Sequence, residues 1–183
     1  MGIILASNSI TRAELLDAAG VKYIQKSSRF DEEGLDISHP SHFVYRATMG
    51  KMRSFEEEFG LEIPVLCADT VVTSKGKLLR KAKDKDDARK ILLTQSGSTV
   101  SILSCMILKS TKREFIDLSS TDYLFNEFDK KALEEYLESD EWMGKAGACM
   151  VEGFCKEYIK EVRGYESTAM GLCVEKLLPY LEE

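Results

Sequence analysis

The chain has only two histidines, His39 and His42, and no third ligand at a spacing that would complete a zinc site with them. It has no C-x-x-C pair. Its five cysteines, Cys67, Cys105, Cys149, Cys155 and Cys173, form an odd set and several lie inside apolar runs, so they read as reduced, packed thiols of a cytoplasmic protein. No stretch approaches the roughly eighteen continuous apolar residues of a membrane span. The N-terminus lacks the charged, apolar and small-residue order of a secretory signal, so no membrane partner is expected. Positive charge is not in excess: 25 basic and 31 acidic residues give a net charge of −6 and are mixed along the whole length. That excludes the basic patch that grips duplex DNA or RNA, so no polymeric nucleic acid is expected. It does not exclude a small anion, because one cleft can gather a few lysines on an otherwise acidic surface. The G-x-x-x-x-G-K-[ST], G-x-G-x-x-G and G-x-S-x-G spacings are all missing, which removes the P-loop, the dinucleotide turn and the nucleophile elbow.

What is present suits one α/β domain spanning residues 1–183, with 44% apolar residues to bury and no internal repeat or linker. The pattern predicts a central mixed, partly antiparallel sheet flanked by helices. The run Gly2–Ala6 reads as a strand, followed by a polar turn and a helix capped by Ser9 or Thr11, the latter in capping-box spacing with Glu14. A strand is expected over Val21–Lys26 and a helix over Ser41–Glu58, stopped by Gly60. Pro64–Ala68 reads as a buried strand ending in Asp69, and the apolar pattern resumes at Val71-Val72 before a Ser74–Lys77 turn. Further on come a helix over Asp84–Thr94 and two β-rich runs, Thr99–Leu108 and Glu114–Phe125, able to pair as a ribbon. A short helix over Asp129–Leu137, a small-residue loop over Gly144–Gly153, a strand over Glu157–Val162 and a closing helix over Thr168–Leu181 complete the reading.

Several places could carry chemistry. The turn Ser7-Asn8-Ser9-Ile10-Thr11-Arg12 joins a strand to a helix N-terminus, where free N–H groups and the positive fork of Arg12 suit a phosphate; a capped helix with a surface arginine is the plainer alternative. Asp69, at a predicted strand end, is a candidate base or metal ligand, or else an Asx-turn residue. The Asp31-Glu32-Glu33 cluster could hold Mg²⁺ or Mn²⁺ beside Asp69, or be a solvated charge run. Lys51 and Lys81 could each reach a phosphate oxygen, although most lysines only solvate a surface.

In order along nearly the whole chain, these pieces resemble the Maf family, the septum formation inhibitor-like nucleoside triphosphate pyrophosphatases. Leu5-Ala6-Ser7-Asn8-Ser9, Arg12 and Glu14-Leu15-Leu16 are similar to the family's opening L-A-S-x-S-P-R-R-x-E-L-L. Asp31-Glu32, Lys51, Ala68-Asp69-Thr70-Val71-Val72, Lys81, Ser96-Gly97, Lys145-Ala146-Gly147, Gly153 and Gly171-Leu172 follow. The resemblance implies a Maf/ITPase-like fold, and hydrolysis of a nucleoside triphosphate to the monophosphate and pyrophosphate with a divalent metal, Mg²⁺ or Mn²⁺. It implies Asp69 as the catalytic residue, Glu32 with Asp69 at the metal, and Ser7, Arg12, Lys51 and Lys81 on the phosphates, with Lys145 a weaker addition. It also implies a homodimer and a role in clearing nucleotides or restraining division.

Departures from the family pattern bear on substrate choice. Ile10-Thr11 replaces a Pro-Arg pair, Arg80-Lys81-Ala82 replaces Gly-Lys-Pro, Val100 stands for a histidine, Cys149 for a tyrosine and Cys173 for a proline. The family's specificity positions fall on Thr11, Thr70 and Glu152, which match the dTTP/UTP type at Thr70 and the 7-methyl-GTP type at Glu152, so the base, pyrimidine or modified, stays open. Two rival readings remain: a catalytically weak nucleotide-binding regulator linked to division, and a cysteine-dependent hydrolase indifferent to chelators.

Overall fold

The computed structural model describes residues 2–32, 34–36, 38–149, 151 and 153–181. Glu33 and Glu152 therefore lie outside the described residues. The elements run β1 (Ile3–Leu5), α1 (Ile10–Ala18), β2 (Tyr23–Gln25), α2 (Pro40–Phe59), β3 (Val65–Ser74), β4 (Lys77–Leu79), α3 (Lys85–Gln95), β5 (Thr99–Lys109) and β6 (Glu114–Phe125). There follow α4 (Lys130–Glu138), a 3-10 turn (Phe154–Tyr158), β7 (Ile159–Arg163), α5 (Glu166–Ala169), α6 (Val174–Leu177) and a last 3-10 turn (Leu178–Tyr180). The sheet is mixed, as the pattern predicts, with strand order β2-β1-β3-β5-β6-β7 and β4 on β3. β1 is parallel to β2 and β3, whereas β4 and β7 join antiparallel. Residue contacts divide the chain into two compact units.

The first unit comprises residues 1–70, 103–120 and 165–183. Its central strands β1, β3 and β5 are buried on both faces, which is why they read as apolar runs, whereas β2 and the first half of β6 are largely exposed. Alternation along β3 sends Leu66 and Ala68 into one core with Ile3, Leu5, Leu16, Met106, Leu172 and Leu177. Val65 and Cys67 enter the other, with Ala6, Met52, Phe55 and Ile107. α1 and α6 thus cover one face and α2 the other. β5 and β6 are sheet neighbours joined by a turn in which Ser110 N donates to Arg113 O at 2.9 Å. So short a connection permits only antiparallel pairing, the expected ribbon.

The second unit comprises residues 71–102 and 121–164. There Lys75 and Gly76, both at positive φ (51° and 73°), form the two-residue turn between β3 and β4 that hairpins favour. Asp84 and Asp129 cap α3 and α4. The small-residue loop is pinned by Gln95 Nε2 donating to Gly147 O at 2.6 Å and Tyr136 Oη to Ala148 O at 3.1 Å.

Four expectations need correction. β3 does not end at Asp69 but runs on to Ser74, so Asp69 is mid-strand and makes no turn. The cap of α1 is Ser9, whose Oγ accepts from Arg12 N at 3.3 Å, and the Thr11–Glu14 box is unused because the helix already starts at Ile10. The closing helix is broken into α5 and α6 by Gly171, whose φ of 109° no helix accommodates. Finally, Cys149 and Cys155, whose Cα atoms lie 6.3 Å apart across the small-residue loop, are joined as a disulfide, while Cys67, Cys105 and Cys173 are free and buried as expected.

Candidate active site

β1 pairs with β3 only as far as Leu66, and Ala6 N still donates to Leu66 O at 2.8 Å before the chain turns away through Ser7 and Ser9. β3 continues past that point, so Asp69 and Thr70 emerge beyond the carboxyl end of β1, where open α/β sheets place ligands. Their neighbours follow from strand alternation. Asp69 points to the same face as Val65 and Cys67, toward α2, and meets Lys51 there. Thr70 points to the face of Leu66 and Ala68, toward α1, and meets Arg12.

Lys51 Nζ lies 2.8 Å from Asp69 Oδ1 and 2.7 Å from Glu32 Oε1, so one ammonium joins both carboxylates. Burial pulls its pKa down, and Asp69 with Glu32 together outweigh that, leaving it above the ordinary lysine value. Among the described residues nothing donates to Asp69 Oδ2, so this oxygen is free to act on a substrate.

Arg12 is held on three sides: Nε donates to Gly171 O at 2.9 Å, Nη1 to Ser7 Oγ at 3.1 Å and Nη2 to Thr70 Oγ1 at 3.1 Å. Burial lowers its pKa, opposed by Asp69, Cys67 and Glu32. With five N–H groups, the guanidinium keeps two for a ligand. Ser7, Arg12 and Lys51 share a pocket of about 200 Å³ with Ser27, Ser28 and Phe30. The structure therefore gathers Ser7, Arg12, Glu32, Lys51, Asp69 and Thr70 in the first unit. Thr11, the second residue of α1, is half-buried close by in sequence. Lys81 belongs to the second unit, where it is exposed and its backbone bridges Ala146. Lys145 is exposed in that unit too.

Sequence reasoning missed several supports. Gln25 Nε2 donates to Ser7 O at 2.7 Å and fixes the turn. The Gly171 carbonyl anchors Arg12. Phe30 lies so close to Gly50 that a Cβ there would fall 2.0 Å from the ring, which brings the loop carrying Glu32 against α2. Gly50, one residue before Lys51, was the available signal. Of the thiols, burial pushes Cys67 up to about 12 and Cys105 up to about 11, which disfavours a cysteine nucleophile. No group of three His, Cys, Asp or Glu suited to a metal occurs among the described residues, His39 and His42 included. The Glu32–Asp69 pair does suit a hard ion that takes one or two carboxylates and completes its shell with water and phosphate oxygens.

A family model for Maf-like proteins matches residues 2–183. This chain belongs to that family. Its relatives include proteins named nucleoside triphosphate pyrophosphatase from Nitratiruptor sp. (55% identical over 175 residues, 94% of this chain and 95% of that protein). Others of the same name come from Helicobacter pylori (40% over 182 residues, 100% and 96%) and Campylobacter jejuni (38% over 182 residues, 98% and 100%). Among solved structures, the Staphylococcus aureus Ham1 protein covers 100% of this chain and 98% of its own, at 12% identity and a TM-score of 0.57. That likeness shows a shared fold for this Maf-like chain. No helix among the described residues is long and apolar enough to cross a membrane.

Proposed function

We propose that this Maf-like chain hydrolyses a nucleoside triphosphate to the monophosphate and pyrophosphate, as the names of its relatives describe. The observation that carries the reading is the Glu32–Lys51–Asp69 constellation, with contacts of 2.7 and 2.8 Å, beside a guanidinium already fixed on three sides. Binding alone would not require both carboxylates next to a phosphate cradle.

Phosphoanhydride hydrolysis needs a positioned water, neutralised phosphate oxygens and a leaving group able to carry charge. Asp69 accepts the proton of the attacking water through its free oxygen, while Lys51 holds the carboxylate in orientation through the other. Arg12 offers its two unused N–H groups to the phosphates, and Ser7 with the first amides of α1 completes the cradle. Lys51 adds a point charge on the phosphate chain, and the family resemblance implies the same role for Lys81. Mg²⁺ or Mn²⁺ would be held by Glu32 and Asp69, and when bound supplies charge neutralisation on the phosphates and a more acidic water. The family resemblance assigns base selection to Thr11, Thr70 and Glu152, and Thr70 also accepts from Arg12 Nη2. The family match over residues 2–183 supports a single-domain cytoplasmic enzyme, a homodimer as the family implies, without polymeric nucleic acid or membrane as partner.

The test is to incubate the protein with a panel of ordinary and modified nucleoside triphosphates and Mg²⁺ or Mn²⁺, following both products with a chelator control. Release of monophosphate and pyrophosphate, suppressed by chelator, is expected. Binding without turnover across the panel would return the protein to the regulatory reading.

A further inference from the structure

The hydroxyls behind Arg12 form a chain whose direction can be worked out. Ser104, buried on β5, donates its one hydroxyl proton to Thr168 O at 2.7 Å. Its 2.8 Å contact with Thr70 Oγ1 must then have Thr70 as donor. Thr70 has spent its proton on Ser104 and accepts from Arg12 Nη2 at 3.1 Å. The order is Arg12 to Thr70 to Ser104 to the Thr168 carbonyl. Thr168 and Gly171, whose carbonyl takes Arg12 Nε directly, belong to the same backbone turn at the end of α5. The hydrogen bonds close into a ring with the guanidinium on one side. Strand alternation makes this possible, because Ser104 shares its face of β5 with Met106 and Leu108 and looks to the same core as Thr70.

We infer that Ser104 and Thr70 are positioning residues that act through Arg12, and that Thr70 sets the orientation of the phosphate-binding fork rather than reading the base. The inference deepens the pyrophosphatase reading and rests on it for its kinetic consequence. Without Ser104 as acceptor, the Thr70 proton turns elsewhere and the Arg12 fork loses its fixed plane. The cost then falls on every nucleotide alike, since all share the triphosphate.

Calorimetric titration with inorganic tripolyphosphate tests this without any base and without turnover. Ser104→Ala and Thr70→Val are each expected to weaken binding about tenfold, the scale of one charge-assisted hydrogen bond. The double variant should bind no worse than the weaker single one, because both break the same chain. Thr70→Ser, which keeps the hydroxyl, should restore most of the affinity. A merely structural role would lower the folded fraction, and so the stoichiometry, leaving the affinity unmoved. In kinetics, Thr70→Val should lower kcat/KM by the same factor for a purine and a pyrimidine triphosphate. Wild-type affinity in Ser104→Ala, multiplied losses in the double variant, or a loss confined to one base would each overturn the inference. Absence of turnover in the wild type, with the binding pattern intact, would overturn the enzymatic reading and leave the ring standing.

Discussion

Replacing Lys51 with Met keeps most of the apolar stem and removes the charge between two carboxylates. With the ammonium 2.7 Å from Glu32 and 2.8 Å from Asp69, those two oxygens are at most about 5.5 Å apart. At an effective dielectric of about 20, two unit charges at that separation repel by about 3 kcal/mol. The site is only partly dry: side-chain exposure is 25% for Lys51, 13% for Asp69 and 38% for Glu32, so screening trims the effect. We expect Lys51→Met to lose about 2 kcal/mol of stability at neutral pH, read from urea unfolding, and on the order of 10²-fold in kcat/KM. The pH dependence has a definite sign. Because the Lys51 pKa is raised in the folded state, its contribution is fully present below the unfolded lysine value, near 10.4, and is lost as pH rises through the folded value. The stability gap between wild type and variant should thus be flat from neutral pH to about pH 10 and narrow above it. Equal unfolding midpoints with undiminished turnover would show that the Lys51 ammonium does not organise the pair.

Gly50→Ala places a Cβ 2.0 Å from the Phe30 ring, so the ring and the Glu32 loop must shift. A stability loss of about 1–3 kcal/mol with a larger fall in kcat/KM is expected from melting and kinetic measurements. Gly171→Ala must adopt a φ of 109° and brings a Cβ to 3.2 Å from Arg12 Nε and Thr70 Oγ1; weaker tripolyphosphate binding by calorimetry is the expected result. Alkylation of the native protein with iodoacetamide near pH 7.5 should leave activity unchanged, because Cys67 is fully buried and pushed up to about 12. Inactivation matched to Cys67 modification would revive the cysteine reading.

Much of the fold could be read from local signals. β6 runs over Glu114–Phe125 as the β-rich pattern predicts, and Asp84 and Asp129 mark the starts of α3 and α4 because a carboxylate before a helical repeat caps it. The Ser74–Lys77 turn was legible from its glycine. Asp69 misled because a carboxylate inside an apolar run resembles a strand end, whereas β3 continues on partners that local pattern cannot reveal. The break at Gly171 was hidden because its flanks keep helical spacing and the reason for the glycine is Arg12, 159 residues away. For the site, residue types offered Ser7, Arg12, Glu32, Lys51 and Asp69 only as candidates beside plainer readings and the family resemblance assigned their roles, whereas the contact of one lysine with two acids depends on β3 and α2 packing face to face. The Thr70–Ser104–Thr168 chain crosses 34 and then 64 residues of sequence, and small hydroxyl residues carry no signal at such range. Glu152, one of the three positions at which the family resemblance looks for the base, lies outside the described residues.

We propose that Asp69 activates the water that cleaves the triphosphate. The most direct test is single-turnover hydrolysis of a nucleoside triphosphate by the wild type and by Asp69→Asn, with circular dichroism and melting curves to establish that both are folded. Monophosphate and pyrophosphate are expected from the wild type, and no product above the uncatalysed background from the folded variant. A folded Asp69→Asn protein that turns over at the wild-type rate would contradict the role proposed for Asp69.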